Sequence, residues 1–141
     1  MFKSIYDLVS SQSDNLIALE TPKEVKFTFQ NLKKKIDESI KLLQSLSLVN
    51  ERIAIILPNG LGAAFSFLAV SSCAVSAPLN PNFKKEEFEF YIMDLNIKGI
   101  LVEQDSKLTV VDVALEQGIK IIEVCDPDTD PTLIFSKKNF I

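Results

Sequence analysis

The chain of 141 residues contains no histidine and only two cysteines. Without histidine, Ser-His-Asp triads, Cys-His pairs and imidazole metal ligation are excluded. Cys73 and Cys125 are too few and too far apart for a zinc framework. Cys73 lies in the most apolar stretch, where a free thiol behaves as a small hydrophobe. Such sparse cysteine fits a reducing, intracellular setting, and the expected location is cytoplasmic. An excess of basic charge is missing too. Fifteen Lys and Arg face nineteen Asp and Glu, for a net charge of −4, so the footprint of nucleic-acid binding is absent. Lys33-Lys34-Lys35 is followed at once by Asp37 and Glu38. The N-terminus, MFKSIYDLVSSQSD, carries Asp7 and lacks the apolar run of a signal peptide.

What is present is apolar. Hydrophobic residues make up 47% and charged residues 24%, enough for a real core in one domain or part of a larger one. No charged residue stands between Arg52 and Lys84. This stretch predicts a strand (Ile53–Leu57), a turn (Pro58-Asn59-Gly60), a buried helix (Leu61–Ala74) and a second strand (Val75–Leu79). A membrane span needs about 20 unbroken apolar residues. Pro58, Asn59, Gly60 and Pro78 interrupt the run, and Ser66, Ser71 and Ser72 lie in the helix, so the helix belongs in a protein core.

Upstream, residues 3–11 predict a short helix. Leu16–Glu20 and Val25–Thr28 predict a hairpin about Thr21-Pro22-Lys23-Glu24. Phe29–Leu46 is the longest predicted helix, with Leu32, Ile36, Ile40 and Leu43 on its apolar stripe, Thr28 as N-cap and an Asp37–Lys41 ion pair on its outer face. Downstream come a helix over Lys85–Leu95, a strand over Lys98–Val102, a helix over Leu108–Gln117 capped by Asp105 or Ser106 and stopped by Gly118, and a strand over Ile119–Val124. This β-α-β-α-β-α-β order predicts an α/β fold: a mostly parallel sheet flanked by helices, with a short N-terminal hairpin. Residues 1–124 form the predicted α/β subdomain. Residues 125–141 read as a linker or a truncated continuation with no clear element.

Few residues suggest chemistry. Leu57-Pro58-Asn59-Gly60-Leu61-Gly62 joins a strand to a helix, as phosphate loops do. The dinucleotide fingerprint requires a third glycine where Phe65 stands, and an acidic residue where Asn80 stands. No G-x-x-x-x-G-K-[ST] run occurs. The turn therefore serves to pack a buried helix on its strand. Asp126, Asp128 and Asp130 alternate like a calcium loop, but the glycine and glutamate that such a loop needs are replaced by Pro131 and Lys137. An acidic turn is the better account. Tyr91 and Asp94 are expected to make structural hydrogen bonds. On the residues alone, this is an α/β domain without a catalytic constellation.

Several segments nevertheless match a known pattern: FTFQNL (Phe27–Leu32), ERIAIILPNG (Glu51–Gly60), FLAVSSCAVSAPLNPNFKKEEFEFYIMDLNIKGILVEQ (Phe67–Gln104) and KIIEV (Lys120–Val124). In this order they resemble the N-terminal part of AMP-forming acyl-CoA synthetases, the adenylating superfamily that includes luciferases and peptide-synthetase adenylation domains. The PLNP and EEFEFYIMDL runs are nearest the oxalate/peroxisomal-type CoA ligases. Asn50-Glu51 stands where Gly-Asp is common in that family, and Lys84 stands where a capping Thr or Ser is usual.

The resemblance implies a fragment of a ligase of fatty-acid-type metabolism. Such an enzyme joins a carboxylate to ATP, releases pyrophosphate, and passes the acyl group from AMP to coenzyme A. ATP, Mg²⁺ and CoA are implied for a full-length member. The family's phosphate loop, magnesium-holding glutamate, ribose aspartate and catalytic lysines have no counterpart here, so no catalytic residue, cofactor site or metal site is expected in this segment, and no activity from residues 1–141 alone. Thr28, Pro58, Asn59 and Pro78 are structural motif residues by this resemblance. Asn80 and Pro81 are the substrate-proximal candidates, because open α/β sheets bind ligands beyond the carboxyl ends of their strands. The implied partners are the remainder of the ligase, a complementary chain or, as another arrangement, a second copy; nucleic acid and a membrane span are not among them. The alternatives are a non-catalytic adenylation-like module paired with another chain, and a small Rossmann-like nucleotide binder.

Overall fold

A computed structural model of the chain describes Met1, residues 3–125 and residues 135–138. In order, the elements are α1 (Ile5–Ser10), β1 (Ile17–Glu20), β2 (Lys26–Thr28), α2 (Phe29–Ser45), β3 (Arg52–Ile55), α3 (Leu61–Ser71), β4 (Val75–Pro78), α4 (Lys85–Asp94), β5 (Gly99–Glu103), α5 (Thr109–Glu116), β6 (Lys120–Val124) and β7 (Phe135–Lys137). β1 and β2 pair antiparallel as a separate ribbon. The other five strands form one sheet in the order β4-β3-β5-β6-β7, parallel except for β7. The α/β class, the mostly parallel sheet and the N-terminal hairpin are as the sequence predicts.

The alternation of β3 builds two cores. Ile53 and Ile55 face one side, with Leu101, Ile122 and Val124, and pack against Leu32, Ile36 and Leu43 of α2 and Phe65 and Ala69 of α3. Ala54 and Ile56 face the other side, with Ile100, Val102 and Ile121, and pack against Phe88 and Ile92 of α4 and Val110, Val113 and Ala114 of α5. A strand buried on both faces must read as a continuous apolar run, and IAIIL does. The apolar α3 accordingly lies in the core. No helix among the described residues is long and apolar enough to cross a membrane.

Two expectations are corrected. The tail holds a strand where none was predicted: β7 pairs antiparallel with β6, and Phe135 meets Phe65 edge-on at 5.4 Å between ring centroids. A three-residue strand is too short to carry its own periodicity, so only its tertiary partners reveal it. The Asp37–Lys41 ion pair is not made. Asp37 instead accepts a hydrogen bond from the Tyr6 hydroxyl at 2.7 Å, and Lys33 reaches the Gln12 carbonyl and the Asp14 carboxylate, both at 2.8 Å. The charged face of α2 thus holds the segment that contains α1. The predicted acidic turn at Asp126, Asp128 and Asp130 lies outside the described residues.

At the N-terminal end of the sheet, three helices pass into strands through the same turn. After α2, α4 and α5, residues Ser47, Asn96 and Gly118 adopt φ of 57°, 52° and 68°. The next amide then reaches back five residues: Leu48 N–H to Leu43 O (2.9 Å), Ile97 N–H to Ile92 O (3.0 Å), and Ile119 N–H to Ala114 O (2.8 Å). These are Schellman closures, which satisfy the last helical carbonyls. Asn50, where glycine is common in the resembled family, has φ of 63°, a conformation that asparagine tolerates better than most residues.

Candidate functional site

The opposite end of the sheet is built from residues that stop strands. Ile56 N–H donates to Leu101 O at 2.9 Å, one residue beyond β3, and Pro58 then has no N–H to extend the ladder. Pro78 ends β4, an edge strand, where its missing donor costs no ladder bond. Beyond it, the Asn80 Oδ1 accepts from the Asn82 N–H at 2.9 Å, turning the chain about Pro81. Gly60 has φ 157° and ψ −171°, a region reserved almost wholly for glycine. A Cβ there would meet nothing within 4 Å, so the glycine is required for its backbone conformation and not for a close approach.

Topology places a crevice here. From β3 the chain turns through α3 to β4 on one side, whereas from β5 it turns through α5 to β6 on the other. The loops after β3 and β5 therefore diverge, the arrangement at which open α/β sheets bind ligands. Two adjoining hollows, both lined by Pro58, Asn59 and Glu103, occupy this position. The larger, about 780 Å³, is lined by residues that include Pro58, Asn59, Phe67, Pro78, Asn80, Pro81, Asn82, Glu103 and Leu108. The smaller, about 250 Å³, lies under the hairpin turn, between Thr21-Pro22, the Pro58–Ala63 segment, Glu103 and Cys125.

Of the residues singled out from the sequence, Pro58, Asn59, Pro78, Asn80 and Pro81 converge on the larger hollow. Thr28 does not reach it. Its hydroxyl oxygen accepts from the Asn31 N–H at 3.2 Å and caps α2, as expected of a structural residue. Lys84 precedes α4 and has no acceptor to offer the helix. Only the reciprocal half of a capping box forms, with the Glu87 carboxylate accepting from Lys84 N–H at 2.7 Å. Tyr91 stacks on Phe83 at 5.2 Å between centroids, a structural contact of the ring and not of the expected hydroxyl. Ser106, one of the two candidate caps of α5, accepts from Leu108 N–H at 3.3 Å, outside the helix proper.

Glu103, the last residue of β5, lines both hollows and was not singled out from the sequence. A glutamate ending an apolar strand reads as ordinary surface, and only the diverging loops give it a position. Among the described residues, no Lys or Arg lines either hollow. No group of acidic or sulfur ligands capable of holding a metal occurs among the described residues. The Cys73 thiol is pushed up by burial, away from the nucleophilic thiolate. Among the described residues the hollows offer apolar walls, asparagine amides, the Glu103 carboxylate and, in the smaller one, Cys125, and they supply no cation.

The family model described as AMP-binding enzyme matches residues 9–139 of this chain, and so includes the hairpin, both cores and the crevice. The chain belongs to the AMP-binding enzyme family. Relatives of this AMP-binding chain include the oxalate–CoA ligase of Saccharomyces cerevisiae, 45% identical over 53 residues, covering 37% of this chain and 10% of the ligase. A probable CoA ligase of Humulus lupulus is 36% identical over 80 residues, covering 55% of this chain and 15% of the relative. Among solved structures, ATP-bound MatB of Rhodopseudomonas palustris superposes with a TM-score of 0.77 at 20% identity, over 94% of this chain and 28% of MatB. That likeness shows the shared fold. This AMP-binding family chain thus spans a small part of the length of each relative.

Proposed function

We propose that this chain supplies the N-terminal α/β scaffold of an AMP-forming carboxylate–CoA ligase, and that the crevice at the ends of β3, β4 and β5 forms one wall of the ligase's substrate cleft. The observation that carries this reading is the convergence of the family's Leu-Pro-Asn and Pro-Leu-Asn-Pro segments on one crevice at the diverging loops. Asn80 and Pro81 are its substrate-proximal residues. The Asn80 carbonyl is committed to its own turn, which leaves its NH₂ group to face a ligand.

In such a ligase a carboxylate attacks the α-phosphorus of ATP and pyrophosphate departs. The thiol of coenzyme A then attacks the acyl carbonyl and displaces AMP. Both steps gather negative charge, which must be met by cations and donors. The described crevice lining carries none of those cations, so the phosphate chain, Mg²⁺ and the catalytic lysines belong to polypeptide outside these residues. This chain shapes and walls the cleft. The oxalate–CoA ligase relative makes a small dicarboxylate the first substrate to test.

The test is ATP–pyrophosphate exchange with oxalate, malonate and fatty acids. The 141-residue chain alone should show no exchange above background and no rise in melting temperature with ATP, since a ligand selective for the folded state would raise it. Exchange catalysed by this chain alone would overturn the reading.

A further inference from the structure

The end of the sheet carries two glutamates that differ sharply in their surroundings. Glu123, on β6, is mostly buried; it pairs with Lys138 at 2.7 Å and accepts from Asp105 N–H at 3.2 Å. Glu103, on the neighbouring strand, forms no ion pair or side-chain hydrogen bond among the described residues, yet it lines both hollows of the crevice. Among the described residues it is the one charged side chain in either lining. Around it the larger hollow mixes asparagines with apolar side chains, and Phe67 remains 45% exposed on its wall. At about 780 Å³, the space suits several side chains better than a single ion.

We propose that Glu103 is the anchoring carboxylate of a docking surface, receiving a lysine or arginine from a polypeptide segment whose apolar residues cover Phe67 and Leu108. Charge complementarity selects this occupant. A carboxylate without an ion pair among the described residues, beside the apolar side chains of Phe67 and Leu108, favours a cation delivered together with apolar surface. The proposal deepens the ligase reading and rests on it for the existence of a covering polypeptide; the charge preference itself is a property of this chain.

Amide resonances of the ¹⁵N-labelled chain, titrated with acetyl-Leu-Lys-Leu-amide and acetyl-Leu-Glu-Leu-amide, test it. The lysine peptide should shift Asn59, Gly60 and Gln104, with weaker effect at high salt, and the glutamate peptide should not. Glu103→Gln should weaken lysine-peptide binding about two- to fivefold, the range of a partly exposed ion pair, with an unchanged melting temperature. Glu103→Lys should reverse the preference between the two peptides. Equal binding of both peptides, binding of neither, or indifference to Glu103→Gln would overturn the proposal. A charge preference that fails while pyrophosphate exchange stays absent removes the docking surface alone. Exchange by the chain, with the preference intact, removes the ligase-scaffold reading alone.

Discussion

The two ends of the parallel sheet are made by opposite means. At the N-terminal end, three helices return to strands through one repeated backbone motif, with buried Leu48 and Ile97 and part-buried Ile119 directly after the left-handed residue. At the C-terminal end, prolines stop the ladder, asparagines turn the chain, and the loops diverge around a crevice. The first end is closed by intrachain hydrogen bonds; the second leaves polar groups and apolar walls facing outward. Stability should therefore respond to changes at one end, and recognition to changes at the other.

The sheet between the ends sets the scale for that contrast. Phe65 is fully buried on α3 and touches Phe135. Phe65→Ala should cost about 3–5 kcal/mol in urea denaturation. At the closed end, Ser47 adopts φ 57° without the freedom of glycine, so Ser47→Gly should stabilise the chain by about 0.5–1 kcal/mol, seen as a higher urea midpoint. At the open end, Asn59 and Asn80 are exposed. Asn59→Ala and Asn80→Ala should each alter stability by less than about 0.5 kcal/mol; a larger loss at either would mean that the crevice end also holds the fold together.

The smallest effect is expected outside both ends. The hydrogen bond from Tyr6 to Asp37 raises the tyrosine pKa above its usual value of 10.0, with burial and the negative charge of Asp37 adding to the rise. The folded state therefore holds this proton more tightly than the unfolded chain. The stabilisation is complete below the unfolded tyrosine pKa and is lost as pH rises through the higher folded value. Because Tyr6 lies near solvent, the loss should be slight. Melting temperature followed across the alkaline range should fall less steeply in Tyr6→Phe than in the parent chain.

Elements with strong internal periodicity were legible in the sequence. α2 was expected over Phe29–Leu46 with Thr28 as cap, and it runs from Phe29 to Ser45 with that cap. Gly118 announced its turn, whereas Ser47 and Asn96 make the same turn with residue types that carry a weaker signal. The predicted α3 ran on to Ala74, but the helix stops at Ser71, because apolar composition alone does not mark where a core helix ends. Pro58, Asn59, Pro78, Asn80 and Pro81 were visible as punctuation, and their meeting at one crevice follows from strand order. Glu103, β7 and the Tyr6–Asp37 bond depend on partners distant in sequence, so no local pattern foretold them.

The pairing of β7 with β6 also orders events during synthesis. A chain emerging from the ribosome can join β3, β4, β5 and β6 while Phe135 is still in the exit tunnel. During that interval the outer edge of β6 is unpaired and Phe65 lacks the ring that completes its packing. The nascent chain therefore carries an open β edge until residues 135–137 have cleared the tunnel and can pair with β6.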